Sequence, residues 1–89
     1  MFEILFSSKA KKDWSRLEVS IRTLFTRVFD DNNFRVNPMS NKYYDIKKLS
    51  GIDGYRLRIG IYRVVYTVEK EVKIIKIYAI AHRKDVYKF

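Results

Sequence analysis

The segment GYRLRIGIYRVVY, residues 54–66, decides the fold because its first half predicts a strand with two unlike faces. Successive side chains of a strand point to opposite sides of the sheet. One face is apolar and carries Tyr55, Leu57 and Ile59. The other carries Arg56 and Arg58, and no acidic residue lies within the thirteen residues of the segment. We expect the apolar face to lie on the core.

Gly60 and Ile61 suit a two-residue type II′ turn, which needs a positive φ at its first central position. This turn predicts a hairpin in which Arg58 lies opposite Arg63. The second strand would then direct its apolar side chains towards the helices, namely Tyr62, Val64, Tyr66 and Val68. Arg63, Val65 and Thr67 would point away from them.

Three arginines on one sheet face need an explanation, because directly opposed like charges destabilise a sheet by up to about 1 kcal/mol. An anionic partner supplies one, since a guanidinium group matches two phosphate oxygens at once. The alternative is that the long side chains spread into water and salt screens their repulsion.

The N-terminal third predicts a strand followed by helical structure. FEILF, residues 2–6, alternates as a half-buried strand does, and Ser7 or Ser8 can cap a helix after it. An amphipathic stripe follows at three- and four-residue steps, formed by Ala10, Trp14, Leu17, Ile21, Leu24, Phe25 and Val28. It fits one long helix, or two helices that meet near residues 18–20 with Ser20 as the second cap.

The remaining segments complete the prediction of an α+β domain. Residues 30–45 read as an irregular connection, and the basic pair Lys47 and Lys48 follows before the chain becomes extended. Strands are predicted at 55–59, 62–68 and 72–81. The pattern predicts one domain over residues 1–89, with a small, mostly antiparallel sheet packed on an N-terminal helical hairpin.

Charge and composition limit the classes of function. Nineteen Lys and Arg against ten Asp and Glu give a formal net charge of +9, which favours a polyanionic partner. There is no cysteine and only one histidine, His82, so we expect no metal and no other cofactor. No segment resembles a signal peptide or a membrane span, and a cytoplasmic protein is expected.

The C-terminal segment HRKDVYKF, residues 82–89, adds further candidates. If the last strand ends beside the arginines, it brings His82, Arg83 and Tyr87 near Arg58 and Arg63. Alternation cannot settle this, because the turn at residues 69–71 is ambiguous by one residue.

Two segments, KKLSGIDGYRLRIGIYRVVY and IAHRKDVY, together resemble the RelE/ParE superfamily of toxins, and its RelE branch in particular. The resemblance covers nearly the whole chain, and it lies in the order and spacing of the motifs. It implies a toxin of a type II toxin–antitoxin system that cleaves messenger RNA on the ribosome and is held by a RelB-like antitoxin. By position it implies functional roles for Arg56, Arg58, Arg63, Arg83 and Tyr87.

Close RelE relatives carry lysine at the positions of Arg56 and Arg58, and arginine is effectively never deprotonated. A general-base role for these two residues is therefore not expected. Cleavage by the ribose 2′-OH needs charge stabilisation, which Arg58, Arg63 and Arg83 can supply, and proton transfer. Tyr87 is the first candidate for proton transfer and His82 the second, while Lys47 and Lys48 are candidates for RNA binding.

Two other functions remain open. A ParE-type toxin would have the same fold and would inhibit DNA gyrase through protein contacts. A non-catalytic basic module would bind RNA or act as a corepressor.

Overall fold

The computed structural model describes residues 1–84 as three helices and a five-stranded sheet. The strands are β1 (Glu3–Phe6), β2 (Asp45–Lys48), β3 (Tyr55–Ile59), β4 (Tyr62–Glu69) and β5 (Ile74–His82). The helices are α1 (Ser8–Ser15), α2 (Val19–Phe29) and α3 (Asn32–Val36). The strand order is β1-β5-β4-β3-β2, with only β1 and β5 parallel. The predicted α+β class with a mostly antiparallel sheet is confirmed.

The β3–β4 hairpin has the predicted register. Ile59 pairs with Tyr62 and Arg58 with Arg63 across a turn in which Gly60 has φ 59°. A positive φ is costly for residues with a Cβ atom, so glycine at this position favours the turn and therefore the pairing. The third predicted strand is displaced, because the chain turns through Lys73 at φ 58° before β5 begins at Ile74.

The N-terminal stripe forms two helices. Ser7 caps α1, since its hydroxyl oxygen accepts a hydrogen bond from the Ala10 amide at 3.1 Å. The second helix begins after Glu18, whose side chain makes no capping hydrogen bond. The alternative of one long helix is wrong, and so is the prediction of Ser20 as a cap, because Ser20 lies within α2.

The prediction of an irregular connection over residues 30–45 missed α3 and the start of β2. Asp31 caps α3 by accepting a hydrogen bond from the Asn33 amide at 2.9 Å, and Phe34 of this helix is fully buried. In β2 only Ile46 is buried. Neither element is long enough to show a clear periodic pattern.

The core lies between the helices and one face of the sheet. A row of paired apolar side chains crosses four strands and consists of Ile46, Leu57, Val64 and Ile80. Aromatic side chains fill the space above it, among them Phe6, Trp14, Phe25, Phe29 and Phe34. Full burial of one large apolar side chain contributes about 1.5–3 kcal/mol, so this layer holds the helices on the sheet.

Helix α1 completes the edge of β5 that extends beyond β1. The pairing of β4 with β5 shifts at Val65 and Tyr66, and Tyr78 is left without a partner in the β4–β5 ladder. The Ser7 hydroxyl donates to the Tyr78 carbonyl at 3.0 Å, and the Asp13 carboxylate accepts from the Ile80 amide at 2.9 Å. Side chains of α1 and of its cap thus replace a neighbouring strand. Within residues 1–84, no helix is long and apolar enough to cross a membrane.

We predict that Asp13→Ala lowers the free energy of unfolding by about 1–3 kcal/mol, because the part-buried Ile80 amide loses its acceptor. Asp13→Asn retains an acceptor oxygen and should lose less than half as much. Lys9→Ala is the control, because it removes the 2.9 Å ion pair with Asp13, leaves the carboxylate that accepts from Ile80 in place, and should cost less than about 1 kcal/mol. Urea unfolding measures all three variants, and equal losses for Asp13→Ala and Lys9→Ala would contradict the edge-capping role.

Candidate functional site

The arginines lie on the sheet surface opposite the helices, and we call the surface formed by Arg56, Arg58 and Arg63 the arginine face. Strand pairing arranges this surface in two rows. The first row runs Asp45, Arg58, Arg63 and Ala81, and the second runs Lys47, Arg56, Val65 and Ala79. The predicted separation of the apolar and arginine-bearing faces is therefore confirmed. The two alanines of β5 that end these rows are buried.

An acid from β2 joins the arginine face, although the hairpin itself contains none. Asp45 Oδ1 lies 3.0 Å from Arg56 Nη2, and Asp45 Oδ2 lies 3.9 Å from Arg58 Nη1. The Arg56 side chain is only 17% exposed, whereas those of Arg58 and Asp45 are each 53% exposed. Asp45 therefore holds Arg56 in place and leaves most of the Arg58 guanidinium group accessible.

The Arg63 guanidinium group lies against the hairpin turn. Its Nη1 atom donates to the carbonyl oxygens of Tyr62 at 3.1 Å and Gly60 at 3.3 Å. These bonds fix the side chain across the end of the hairpin. Arg63 is thus pre-oriented beside Arg58, its direct partner across the strands.

Arg83 reaches the same turn through its backbone. Its amide donates to the Ile61 carbonyl at 2.7 Å, and its side chain is exposed. Arg83 follows the last residue of β5 in a turn, so its backbone lies at the end of the hairpin that carries Arg58 and Arg63. The role of its side chain stays a prediction.

His82 lies on the opposite face of the sheet, which corrects the expected grouping of all the C-terminal candidates with the arginines. It pairs with Tyr62, and the two rings meet edge to face with centroids 5.9 Å apart. Tyr62 in turn packs on Phe25 of α2 at 5.6 Å. The histidine is placed there because the shifted register at Val65 and Tyr66 reverses the alternation of β5 after Tyr78.

The two lysines predicted to bind RNA are divided between the faces. Lys47 pairs with Arg56 and shares the arginine face. Lys48 pairs with Tyr55, and its ammonium group lies 5.1 Å from that ring and 3.6 Å from Asp53 Oδ1. Only Lys47 thus joins the arginines. Tyr87 lies outside the described residues, so its role stays a prediction.

A hydrogen bond between Tyr44 and Asp31 anchors the segment that carries Asp45. The Tyr44 hydroxyl donates to Asp31 Oδ2, which ties the residue before β2 to the cap of α3. Burial, and then the bond to Asp31, raises the pKa of Tyr44 to about 12. The same bond, and then the Asn33 amide, lowers the pKa of Asp31. Analysis of the sequence missed both Tyr44 and Asp45, because the four-residue strand β2 shows too little alternation to reveal its faces.

Comparison with known proteins agrees with this fold. Residues 4–87 match the family described as the ParE toxin of type II toxin–antitoxin system, parDE. The RelE1 protein of Methanocaldococcus jannaschii is 34% identical over 88 residues, which cover 98% of this chain and 96% of that protein. The chain belongs to the RelE/ParE superfamily of toxins, in its RelE branch.

Solved structures of RelE proteins have the same architecture. The archaeal RelE–RelB complex from Pyrococcus horikoshii OT3 contains a chain with a TM-score of 0.78 and 28% identity, over 92% of this chain and 94% of that one. A RelB–RelE antitoxin–toxin complex from Methanococcus jannaschii contains one with a TM-score of 0.72 and 29% identity, over 94% and 95%. The RelE-branch assignment made from the motifs is confirmed. Within residues 1–84, no group of three or more His, Asp or Glu side chains is arranged to hold a metal ion.

We predict that the Tyr44–Asp31 bond of this RelE-branch chain stabilises the fold below pH 10 and is lost as the pH rises towards 12. The folded pKa of Tyr44 is raised from 10 to about 12, so the folded state retains the phenol proton more tightly than the unfolded state does. The depressed pKa of Asp31 has the opposite sign: its contribution is present above the ordinary value of 3.8 and is lost as the pH falls through the lower folded value.

The measurement is the difference in unfolding free energy between the wild type and Tyr44→Phe as a function of pH. The difference should be constant between pH 5 and pH 9 and should shrink above pH 10. Tyr43→Phe is the control, because it makes the same change on an exposed ring. A difference that stays constant up to pH 12 would show that the bond does not hold the Tyr44 proton.

Proposed function

We propose that this chain is the toxin of a type II toxin–antitoxin pair and that it inhibits translation by cleaving messenger RNA on the ribosome. The observation that carries the proposal is the direct pairing of Arg58 with Arg63 on the sheet face opposite the helices. A single guanidinium group presents a fork of donors that matches two phosphate oxygens, and these two groups belong to directly paired residues on one face. Family membership supports the toxin assignment.

The proposed chemistry is attack of a ribose 2′-OH on the adjacent phosphorus, which gives a cyclic phosphate and a free 5′-OH. Negative charge grows on the phosphorane oxygens as the bond forms. Arg58 and Arg63 lie on adjacent strands and face the same side, so they can donate to these oxygens together. Arg83 at the end of the hairpin is the third candidate donor. We assign no metal to the proposed reaction, because the arginine side chains can stabilise the negative charge that develops on the phosphorane oxygens.

Binding of a longer RNA segment draws on the rest of the arginine face. Arg56 is held by Asp45, and its side chain is much less exposed than that of Arg58. We assign it to positioning. Lys47, in the same row, extends the positive surface towards the sheet edge. Lys48 lies on the other face and is a weaker candidate for contact with the same RNA segment.

We propose a RelB-like antitoxin as the protein partner of this chain. The related RelE chains from Pyrococcus horikoshii and Methanococcus jannaschii were each solved in complex with RelB. A formal charge of +9 favours an acidic segment that covers the basic surface and orders on binding. The proposed ribosomal target places the action of the toxin in the cytoplasm.

The second candidate function is that of a ParE-type toxin, because the matching family description names ParE. Such a toxin acts through protein contacts and needs no cluster of phosphate-binding cations. Arrest of replication with intact messenger RNA, after brief induction of the chain, would favour this candidate over the ribonuclease.

We predict that Arg63→Ala lowers the rate of messenger RNA cleavage on ribosomes by about 10²–10³-fold, the usual effect of removing one preorganised donor to a developing oxyanion. Arg27→Ala is the matched control, because it removes the same charge from an exposed position on α2. This control should stay within about threefold of the wild type. Primer extension on translated messages after brief induction measures cleavage by both variants. An equal loss of cleavage in the two variants would show that only the net charge matters and that Arg63 has no specific role.

We further predict that the purified chain cleaves naked RNA at least about 10²-fold more slowly than ribosome-bound messenger RNA. Cleavage needs an in-line pose of the 2′ oxygen, the phosphorus and the 5′ oxygen, and the ribosome supplies that pose by bending the codon. Rates on the same transcript with and without ribosomes give the comparison. Rapid digestion of naked RNA would contradict the proposed dependence of cleavage on the ribosome.

A further inference from the structure

The proposed reaction needs a group that takes the proton from the ribose 2′-OH, and the arginine face offers few. In the described part of the chain, this face carries Arg56, Arg58, Arg63, Lys47 and Asp45 as its ionisable residues over β2, β3 and the first half of β4. Arginine is not deprotonated in proteins. His82 lies on the opposite face of the sheet. Lys47 lies in the other row, opposite Arg56. The carboxylate of Asp45 is the candidate proton acceptor that shares a row with Arg58 and Arg63.

Asp45 stands in the same row as the two arginines proposed to bind the phosphate. It pairs directly with Arg58, which pairs with Arg63. Side chains that are directly opposed on neighbouring strands have Cβ atoms about 4.5–5.5 Å apart. A phosphate bound at Arg58 thus lies within reach of the carboxylate, and so does the 2′-OH of the ribose that carries this phosphate on its 3′ oxygen.

The Asp45 carboxylate is both oriented and accessible. Arg56 Nη2 holds Oδ1 at 3.0 Å, while Oδ2 is 3.9 Å from Arg58 Nη1, which is beyond hydrogen-bond distance. The side chain is 53% exposed. One oxygen is therefore fixed and the other is available to a substrate hydroxyl.

The position of Asp45 is fixed from two sides. Its backbone is part of β2, and the preceding residue, Tyr44, is bonded to Asp31 at the start of α3. A general base must lie within hydrogen-bond reach of the proton that it takes, so a carboxylate on a strand is better placed than one on a loop.

We infer that Asp45 is a catalytic residue, the general base of the proposed RNA cleavage. The inference rests on the proposed function. Asp45 takes the 2′-OH proton as the 2′ oxygen forms its bond to phosphorus and the bond between phosphorus and the 5′ oxygen breaks. The departing 5′ oxygen takes a proton from solvent, and Asp45 returns its own proton to solvent, so the enzyme is unchanged at the end.

A purely structural role explains the arrangement less well. The Asp45 carboxylate is half exposed and would repel a phosphate bound beside it. If Asp45 served only to stabilise the arginines, its negative charge would weaken RNA binding with no gain for the reaction. A general base has to lie near the reacting hydroxyl, and it is therefore close to the phosphate despite the repulsion.

The test compares Asp45→Asn, Asp45→Ala and Asp45→Glu with the wild type in single-turnover cleavage on ribosomes loaded with a defined messenger RNA. Asparagine keeps an oxygen that can accept the Arg56 hydrogen bond, but it cannot act as a base. We expect Asp45→Asn and Asp45→Ala each to lower the cleavage rate constant by about 10²-fold or more. Asp45→Glu should exceed Asp45→Asn by at least about tenfold.

The affinity of each variant for the loaded ribosome is measured in parallel. Affinity should stay equal to that of the wild type or increase, because a negative charge has been removed from a phosphate-binding surface. Cleavage by Asp45→Asn close to the wild-type rate, with a large loss only in Asp45→Ala, would overturn the inference and leave Asp45 as a positioning residue for Arg56. An equal fall in affinity and rate would overturn it as well.

Failure of the inference and of the proposed function can be told apart. Wild-type cleavage that persists in Asp45→Asn rejects the base and leaves the ribonuclease in place. No cleavage by the wild type on ribosomes rejects the proposed function, and the role of Asp45 with it.

Discussion

The antiparallel pairing set by the turn at Gly60 is the constraint on which the rest of the molecule depends. Once Arg58 lies opposite Arg63, alternation assigns every side chain of β3 and β4 to one face or the other. A slip of one residue would turn Leu57 and Val64 out of the core. The hydrophobic effect that holds the helices on the sheet therefore also holds the arginines together on the opposite surface.

The second feature that shapes the arginine face is an acidic residue from outside the hairpin, Asp45 of β2. Three guanidinium groups on one small surface repel one another, and Asp45 offsets part of that repulsion at 3.0 Å from Arg56 and 3.9 Å from Arg58. The compensation is unequal, since Arg56 is largely enclosed while Arg58 remains half exposed. The arrangement divides the arginines into one that is held and one that is available to a ligand, and the fork of Arg63 is oriented by carbonyl oxygens of the turn.

The register shift between β4 and β5 decides on which face of the sheet His82 lies. Because Tyr78 has no partner in β4, Ile75 and Ile77 face the core before it, and Ile80 and His82 do so after it. Strict alternation would have put His82 beside the arginines and Arg83 on the helix side. The side chains of Ser7, the cap of α1, and of Asp13 within α1 bind the backbone of β5 at this point and complete its edge. A helix far away in sequence thus supports the change of face.

Local sequence determined the elements whose signals are strong: the β3–β4 hairpin and its register, a serine cap at residue 7 or 8, and the amphipathic stripe that includes Trp14. Each of these depends on neighbours within a few residues, through alternation, helical period or turn geometry. The family assignment also followed from the order of local motifs. Only the tertiary structure decided which short segments pair with them. It placed Asp45 among the arginines, separated Lys47 from Lys48, and moved His82 to the core side, because the register of a four-residue strand and the site of a bulge depend on contacts between segments distant in the chain.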